Sequence, residues 1–352
     1  MDNLMELRLA EYDDIIDDYK QLSDIAVGLL EKSLEEAGQK PMQISHRIKT
    51  KESVAGKMER KSDKYPSVHN MRDLLGIRII CYFGYQVDEA AALIQNILVI
   101  DPEHSVDKRK SLDPTAFGYL SLHFICSLPK DHGYPERLCN LQFEIQIRTI
   151  LQHTWAEIEH DLGYKTEFSI PRHVRREFSR VAGLLEIADD AFLRIRNTIN
   201  DYEQEVRTRI ANDTANQMQL DLVTLRAYLE LSGNMRNLLT DIAAITHSRI
   251  VETNPESHLQ NLAFFKIQTL GDLNAFVLKW YGRAVEFAKR TLRSIELDEI
   301  SSVAGIYYLC RACLVHGNYD EGQLMEFFRL NESSEKRAKQ QTGHILRMRT
   351  AL

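Results

Sequence analysis

The segment that most constrains this chain is QFEIQIRTILQHTWAEIEHDLGYK, Gln142 to Lys165. Phe143, Ile145 and Ile147 alternate with Glu144, Gln146 and Arg148, so it opens as a strand with one apolar face. The other face presents an acid, an amide and a guanidinium. A helix follows, with Leu151, Trp155, Ile158 and Leu162 as an apolar stripe and His153, Glu157 and His160 on the opposite side. An ordinary surface strand also carries polar residues. Here, however, a polar strand face runs into a polar helix face, and that continuity is how a cleft is lined.

Other segments supply the sheet such a strand requires. ISHRIKTKESVAGKMERK reads as a short strand entering a basic helix, and LLGIRIICYF (74–83) as a continuous buried strand. VDEAAALIQNIL (87–98) has helical periodicity, ILVIDP begins another strand, and YLSLHFICSL (119–128) alternates. Residues 11–37 form an acidic amphipathic helix that Gly38 and Pro41 end. The result is an α/β or α+β core with a mixed sheet. Beyond Ile150 no strand pattern stands out. Residues 171–207 read as one long helix with Pro171 at an early position, and 210–352 as further helices. The expected division is residues 1–208 followed by an all-α domain, 209–352, with a regulatory or oligomerisation role.

The bulk properties narrow the class. A chain of 352 residues can bury two cores, and it has no apolar run near the ~20 residues of a membrane span. The N-terminus lacks a signal pattern, so a cytoplasmic location is expected. The five cysteines fit reduced thiols, and Cys310 and Cys313 have no second ligand pair with which to bind zinc. The net charge of −7 is unevenly spread. Residues 1–40 hold eleven acids and four bases, whereas 44–64 hold seven bases and three acids. A local basic cluster in an acidic chain suits a small polyanion better than a nucleic-acid track.

Three segments carry chemistry on that basic side. Arg47 and Lys49 share a side if extended, and Ser53 and Lys57 share a helix face. Together they offer a fork of donors, two ammonium groups and a hydroxyl to a polyphosphate, though a solvated helix start has the same composition. Asp73, just before a buried strand, suits Mg²⁺, a hard cation that takes one or two carboxylates plus phosphate oxygens. Arg78 interrupts that apolar strand and needs a ligand or a partner. Tyr119, Ser121 and His123 alternate against Leu120, Leu122 and Phe124, and a tyrosine there can stack on a base or pack in a core.

Taken in order, these blocks resemble the synthetase domain of the RelA/SpoT alarmone synthetase family. The family pattern RxKxxxSxxxK, DxxGxRI, GYxSLH, EIQIRT and EH with a following YK is matched at Arg47–Lys57, Asp73–Ile79, Gly118–His123, Glu144–Thr149 and Glu159–Lys165. The resemblance covers roughly residues 40 to 170. It implies an α+β fold with a nucleotidyltransferase-like mixed sheet flanked by helices. It also implies a GTP pyrophosphokinase that moves the β,γ-pyrophosphate of ATP to a ribose 3′-hydroxyl of GDP or GTP. In that reading Arg47, Lys49, Ser53, Lys57 and Arg78 grip ATP, while Asp73 and Glu144 are catalytic and hold Mg²⁺. Tyr119, His123, Gln146, Arg148, His153 and Glu159 surround the acceptor nucleotide. Glu159 fits least well, because it lies nearer the apolar side of its helix than His153 does. The residues support this independently, since pyrophosphoryl transfer is mainly positioning and charge neutralisation.

The resemblance fails at one loop. Where the family reads DYIxxPKxNGY, this chain has Asp107–Tyr119 with no Pro-Lys pair and Phe117 in place of Asn. Lys108, Arg109 and Lys110 are the candidates to replace the missing charge. Two alternatives stay open: a toxic synthetase that modifies the 3′ end of tRNA or makes adenosine alarmones, and a catalytically silent nucleotide-sensing module. The expected partners are ATP and GDP or GTP, with tRNA and a homo-oligomer left open and no membrane. The C-terminal aromatics, among them Trp280, Tyr307, Tyr308 and Phe328, are read as core.

Overall fold

A computed structural model of the protein describes residues 3–60, 65–111, 121–164, 171–293, 295–331 and 334–350. The chain divides into two compact units, residues 1–196 and 197–352.

The first unit runs α1 (Asn3–Glu36), β1 (Gln43–Ile48), α2 (Lys51–Arg60), β2 (Leu75–Cys81), α3 (Gly84–Ile97) and β3 (Val99–Asp107). Then come the short α4 (Lys108–Ser111), β4 (Leu122–Ser127), the short α5 (Glu136–Cys139), β5 (Phe143–Thr149), α6 (Ile150–Tyr164) and α7 (Arg172–Ala211), which continues into the second unit. α1 starts earlier than residue 11 and stops where its sequence says it must. Gly38 adopts φ +69°, its N–H reaches Glu35 O at 2.9 Å, and Gln39 N reaches Leu34 O at 2.8 Å. That pair of bonds terminates a helix with a left-handed residue, which glycine adopts without a Cβ penalty.

The five strands form one mixed sheet in the order β1-β2-β5-β4-β3. β2 and β5 are parallel, while β1–β2, β5–β4 and β4–β3 are antiparallel. Period-2 alternation gives the sheet two unlike faces. One carries Ile77, Ile79, Phe143, Ile145, Ile147, Leu122 and Phe124, all buried in a core shared with Leu22 and Leu30 of α1 and Ile94 of α3. Full burial of each such side chain stabilises by about 1.5–3 kcal/mol. The other face is polar. On α6 the apolar stripe is only partly used. Trp155 is buried, its Nε1 donates to Phe178 O at 3.1 Å, and its ring meets that of Phe178 edge-on. Ile158 and Leu162 stay 49% and 63% exposed.

The second unit contains α8 (Leu222–Leu231), α9 (Gly233–Thr246), β6 (Arg249–Val251), α10 (Glu256–Phe264), α11 (Leu270–Leu292), β7 (Glu299–Ser301), α12 (Ala304–His316), α13 (Glu321–Asn331) and α14 (Glu335–Thr350). Among the described residues its strands are β6 and β7, two three-residue strands paired in parallel, too short for a sequence period to reveal. Thr269 starts α11 with a capping box to Asp272. Gly271 there lies so close to the chain that an added Cβ would sit 2.7 Å from Asn216 O. No described helix is long and apolar enough to cross a membrane.

Candidate active site

Strand register assembles the polar face of the sheet. Ser45 pairs with Arg78, Arg78 with Gln146, and Gln146 with His123, so four strands place these residues in one row. The neighbouring row is Arg47, Gly76, Glu144 and Ile125. Because side chains two positions apart share a face, Arg148 follows on the same surface. The row that began as an alternation in one strand is therefore continued by three others.

At the end of β1, Lys49 Nζ lies 2.6 Å from Asp73 Oδ2, and Lys57 Nζ of α2 approaches the same oxygen at 2.5 Å. Lys49 also donates to the Asp73 carbonyl at 2.6 Å. Burial raises the Asp73 carboxyl, but the two ammonium groups outweigh it and hold it below the ordinary aspartate value. Burial wins at Lys49, whose pKa is lowered. At Lys57 the carboxylate overcomes the same burial penalty and the pKa is raised, with the ammonium also 4.8 Å from the Tyr65 ring centre. Asp73 Oδ1 is buried and accepts no hydrogen bond among the described residues.

Glu144 is the second carboxylate. His123 Nδ1 lies 2.8 Å from its Oε1, and Gln146 Nε2 donates to Oε2 at 2.9 Å. Burial raises its pKa, yet His123 and Gln146 more than offset that and keep it below the glutamate norm. Gln146 Oε1 accepts in turn from Arg148 Nη2 at 3.1 Å, and Arg148 is 2% exposed. The chain of contacts continues to α6. Glu157 Oε1 stands 2.9 Å from Arg78 Nη1, 3.8 Å from His153 Nδ1 and 4.0 Å from Arg148 Nη2. Burial and the Arg148 charge lower the His153 pKa.

The structure thus brings together Lys49, Lys57 and Asp73, and joins His123, Glu144, Gln146, Arg148, Arg78 and His153 in a second network. Arg47 is exposed on β1. Ser53 is exposed at the start of α2, where its hydroxyl accepts from Thr50 Oγ1 at 3.2 Å. Glu159 is half-buried and makes no hydrogen bond or ion pair among the described residues. Tyr119 lies outside the described residues, as does most of the loop before it. Of the three bases considered for that loop, Arg109 is engaged by Asp107 at 3.0 Å and Asp88 at 2.9 Å.

Two participants carried no clear signal in the sequence. Glu157 lies on the polar side of α6 outside every motif block; its i,i+4 spacing to His153 is the available clue. Asp189 of α7 accepts from Thr149 Oγ1 at 2.6 Å and so braces the end of β5. Forty residues separate that pair, and no local pattern links them.

The donor set fits a hard divalent cation. Asp73 offers a buried open oxygen with a second carboxylate, Glu144, within its electrostatic reach. No group of three or more Asp, Glu, His or Cys gathers into a closed cage among the described residues. One or two carboxylates that leave the remaining positions to phosphate oxygens suit Mg²⁺. Chemically, the face can bind a polyphosphate through Arg and Lys, keep two carboxylates ionised and accept a proton.

Residues 46–169 match the family described as "Region found in RelA / SpoT proteins". GTP pyrophosphokinase YjbM of Bacillus subtilis is 29% identical over 161 residues, 45% of this chain and 73% of that protein. GTP pyrophosphokinase YwaC of the same organism is 29% identical over 159 residues, 44% and 73% of the two chains. Among solved structures, the small alarmone synthetase 2 of B. subtilis aligns with a TM-score of 0.45 at 27% identity. That alignment covers 53% of this chain and 97% of that one.

Proposed function

We propose that this chain, whose residues 46–169 match the region found in RelA/SpoT proteins, is a GTP pyrophosphokinase, transferring the β,γ-pyrophosphate of ATP to the 3′-hydroxyl of GDP or GTP. The observation that carries the reading is the pair of carboxylates, Asp73 and Glu144, both kept ionised on a sheet face crowded with Arg and Lys.

Arg47, Lys49, Ser53, Lys57 and Arg78 bind the triphosphate. The ammonium groups of Lys49 and Lys57, which rest on Asp73 in the free protein, exchange its carboxylate for phosphate oxygens. Asp73 and Glu144 would hold Mg²⁺, which would neutralise charge along the triphosphate. The acceptor 3′-oxygen forms a bond to the β-phosphorus, the bond from that phosphorus to the α–β bridging oxygen breaks, and AMP leaves with that oxygen. The hydroxyl proton passes to Glu144, whose hydrogen bonds from His123 and Gln146 fix its orientation. Tyr119 stacks on the acceptor base, with His123, Gln146, Arg148, His153 and Glu159 around the acceptor nucleotide. This synthesis of (p)ppGpp would place the protein in stringent-response signalling.

The test is incubation of the purified chain with ATP labelled on its γ-phosphate and Mg²⁺, offering GDP, GTP, AMP or deacylated tRNA separately. Label on GDP or GTP is expected. Label on tRNA alone would replace the reading with a translation-blocking enzyme. The altered acceptor loop, in which Arg109 is paired with Asp107 and Asp88, is the observation that keeps that reading open. No label on any acceptor would leave a silent nucleotide-sensing module.

A further inference from the structure

The second unit holds a cavity of about 380 Å³ between α11, α12 and α14, formed entirely by residues of that unit. We propose that it binds a nucleoside phosphate, stacking the base on Tyr307 and pairing the phosphate with Arg311, His344 and Arg347. This inference does not depend on the synthetase reading.

Charge comes first. The cavity lining includes two guanidiniums and an imidazole but neither Asp nor Glu, in a chain with more acids than bases. Such a wall repels cations and stabilises an anion. Arg311 is unusual within it, being only 7% exposed on an otherwise apolar helix. Its guanidinium lies 4.9 Å from the Tyr307 ring centre and 4.4 Å from that of Phe328, and Nη1 donates to Gln341 Oε1 at 3.2 Å. Stacking on two rings holds the planar fork flat, the preorganised state in which arginine grips phosphate with parallel hydrogen bonds. His344 and Arg347, both exposed, stand at the rim.

Size and aromatic content then select the class of anion. A lone phosphate needs a small fraction of this volume, which falls in the ~300–1,000 Å³ range of small-molecule sites. Tyr307 is 43% exposed although it belongs to the cavity wall, and its ring meets that of Tyr308 edge-on at 5.1 Å. An accessible ring beside a cationic wall is the arrangement that stacks a base while the phosphate is held. The Gln341 amide offers further donors and acceptors for a base edge.

The experiment is titration calorimetry on the full chain carrying Lys49→Ala and Lys57→Ala, which weakens nucleotide binding in the first unit. AMP, GMP and inorganic phosphate are offered in turn. One equivalent of a mononucleotide is expected to bind, with inorganic phosphate at least tenfold weaker. Adding Arg347→Glu should weaken nucleotide binding at least tenfold, and Tyr307→Leu should remove the advantage of nucleotide over phosphate. Arg311→Met should abolish binding. Because that buried change can unfold the unit, the rim variants Arg347→Glu and His344→Ala carry the decision if it does. No binding of either nucleotide, binding unaffected by Arg347→Glu, or equal affinity for inorganic phosphate would each overturn the proposal.

Discussion

The two units use buried polarity in opposite ways. In the first, one sheet face is an ordinary apolar core while the other carries Arg148, Glu144, Gln146 and Arg78 in a connected chain of charge and hydrogen bonds. In the second, the interior is dominated by leucines and aromatic rings. Phe264, Phe265 and Phe327 lie with centroids 5.2–5.5 Å apart, and Arg311 is the buried guanidinium. A half-buried ionic network is a poor source of stability, because desolvation offsets most of the attraction. Its persistence on one face of the sheet is therefore explained by chemistry, whereas the second unit's core is explained by folding. Substitutions should separate along the same line.

The largest expected effect lies in the first unit. Glu144→Gln keeps the shape and can still accept a hydrogen bond, but it removes the charge and the proton acceptor. Pyrophosphoryl transfer should fall by roughly 10³-fold, with the thermal midpoint almost unchanged. Asp73→Asn should behave alike. If both variants stay active, the carboxylate pair has no catalytic role and the contrast between the units collapses.

Phe328→Ala tests the other side. The ring is fully buried against the aromatic cluster, and its removal should cost about 3–5 kcal/mol. Denaturant unfolding should show the loss in the second unit, while kcat measured where that unit is still folded should stay within about twofold of the parent. A large drop in kcat under those conditions would mean that the second unit supports the chemistry directly.

Glu157→Gln sharpens the comparison at one contact. The carboxylate sits 2.9 Å from Arg78, a proposed ATP ligand, against 3.8 Å from His153 and 4.0 Å from Arg148, so its main effect is to position the Arg78 guanidinium. KM for ATP should rise about tenfold, or ~1.4 kcal/mol, with kcat little altered and with Glu157→Asp recovering part of the loss. An equal fall in kcat would assign Glu157 to the transition state instead.

How far the sequence could reach follows from the same physics. The sheet and its two faces were legible because a strand with period 2 cannot hide which side is apolar, and the ordered blocks from Arg47 to Thr149 identified the polar side. Periodicity puts Glu157 on the polar side of its helix and Glu159 nearer the apolar side, but it cannot name the partner, because Arg78 reaches Glu157 only through the fold. The three-residue strands β6 and β7 are shorter than any detectable period. The helix α1 begins earlier than its amphipathic pattern does. The cavity beside Arg311 arises from three helices brought together in space, and the bracing of Thr149 by Asp189 spans forty residues.

That bracing contact supports the smallest prediction. Burial raises the Asp189 carboxyl above its ordinary value, against the opposing hydrogen bond from Thr149. A folded pKa above the unfolded one means that the contribution to stability is fully present below the ordinary aspartate range. It is lost as pH rises through the raised folded value, because the unfolded chain releases the proton more readily. Asp189→Asn still accepts from Thr149 Oγ1 but cannot ionise. The variant should match the parent at a pH below the aspartate range and be more stable at neutral pH, by less than about 1 kcal/mol because solvent screens this half-exposed carboxyl. Thermal unfolding of both proteins across that interval measures the difference. If the gap between them does not widen as pH rises, Asp189 is ionised at no cost in the folded chain, and the end of β5 is held by charge instead of by a neutral hydrogen bond.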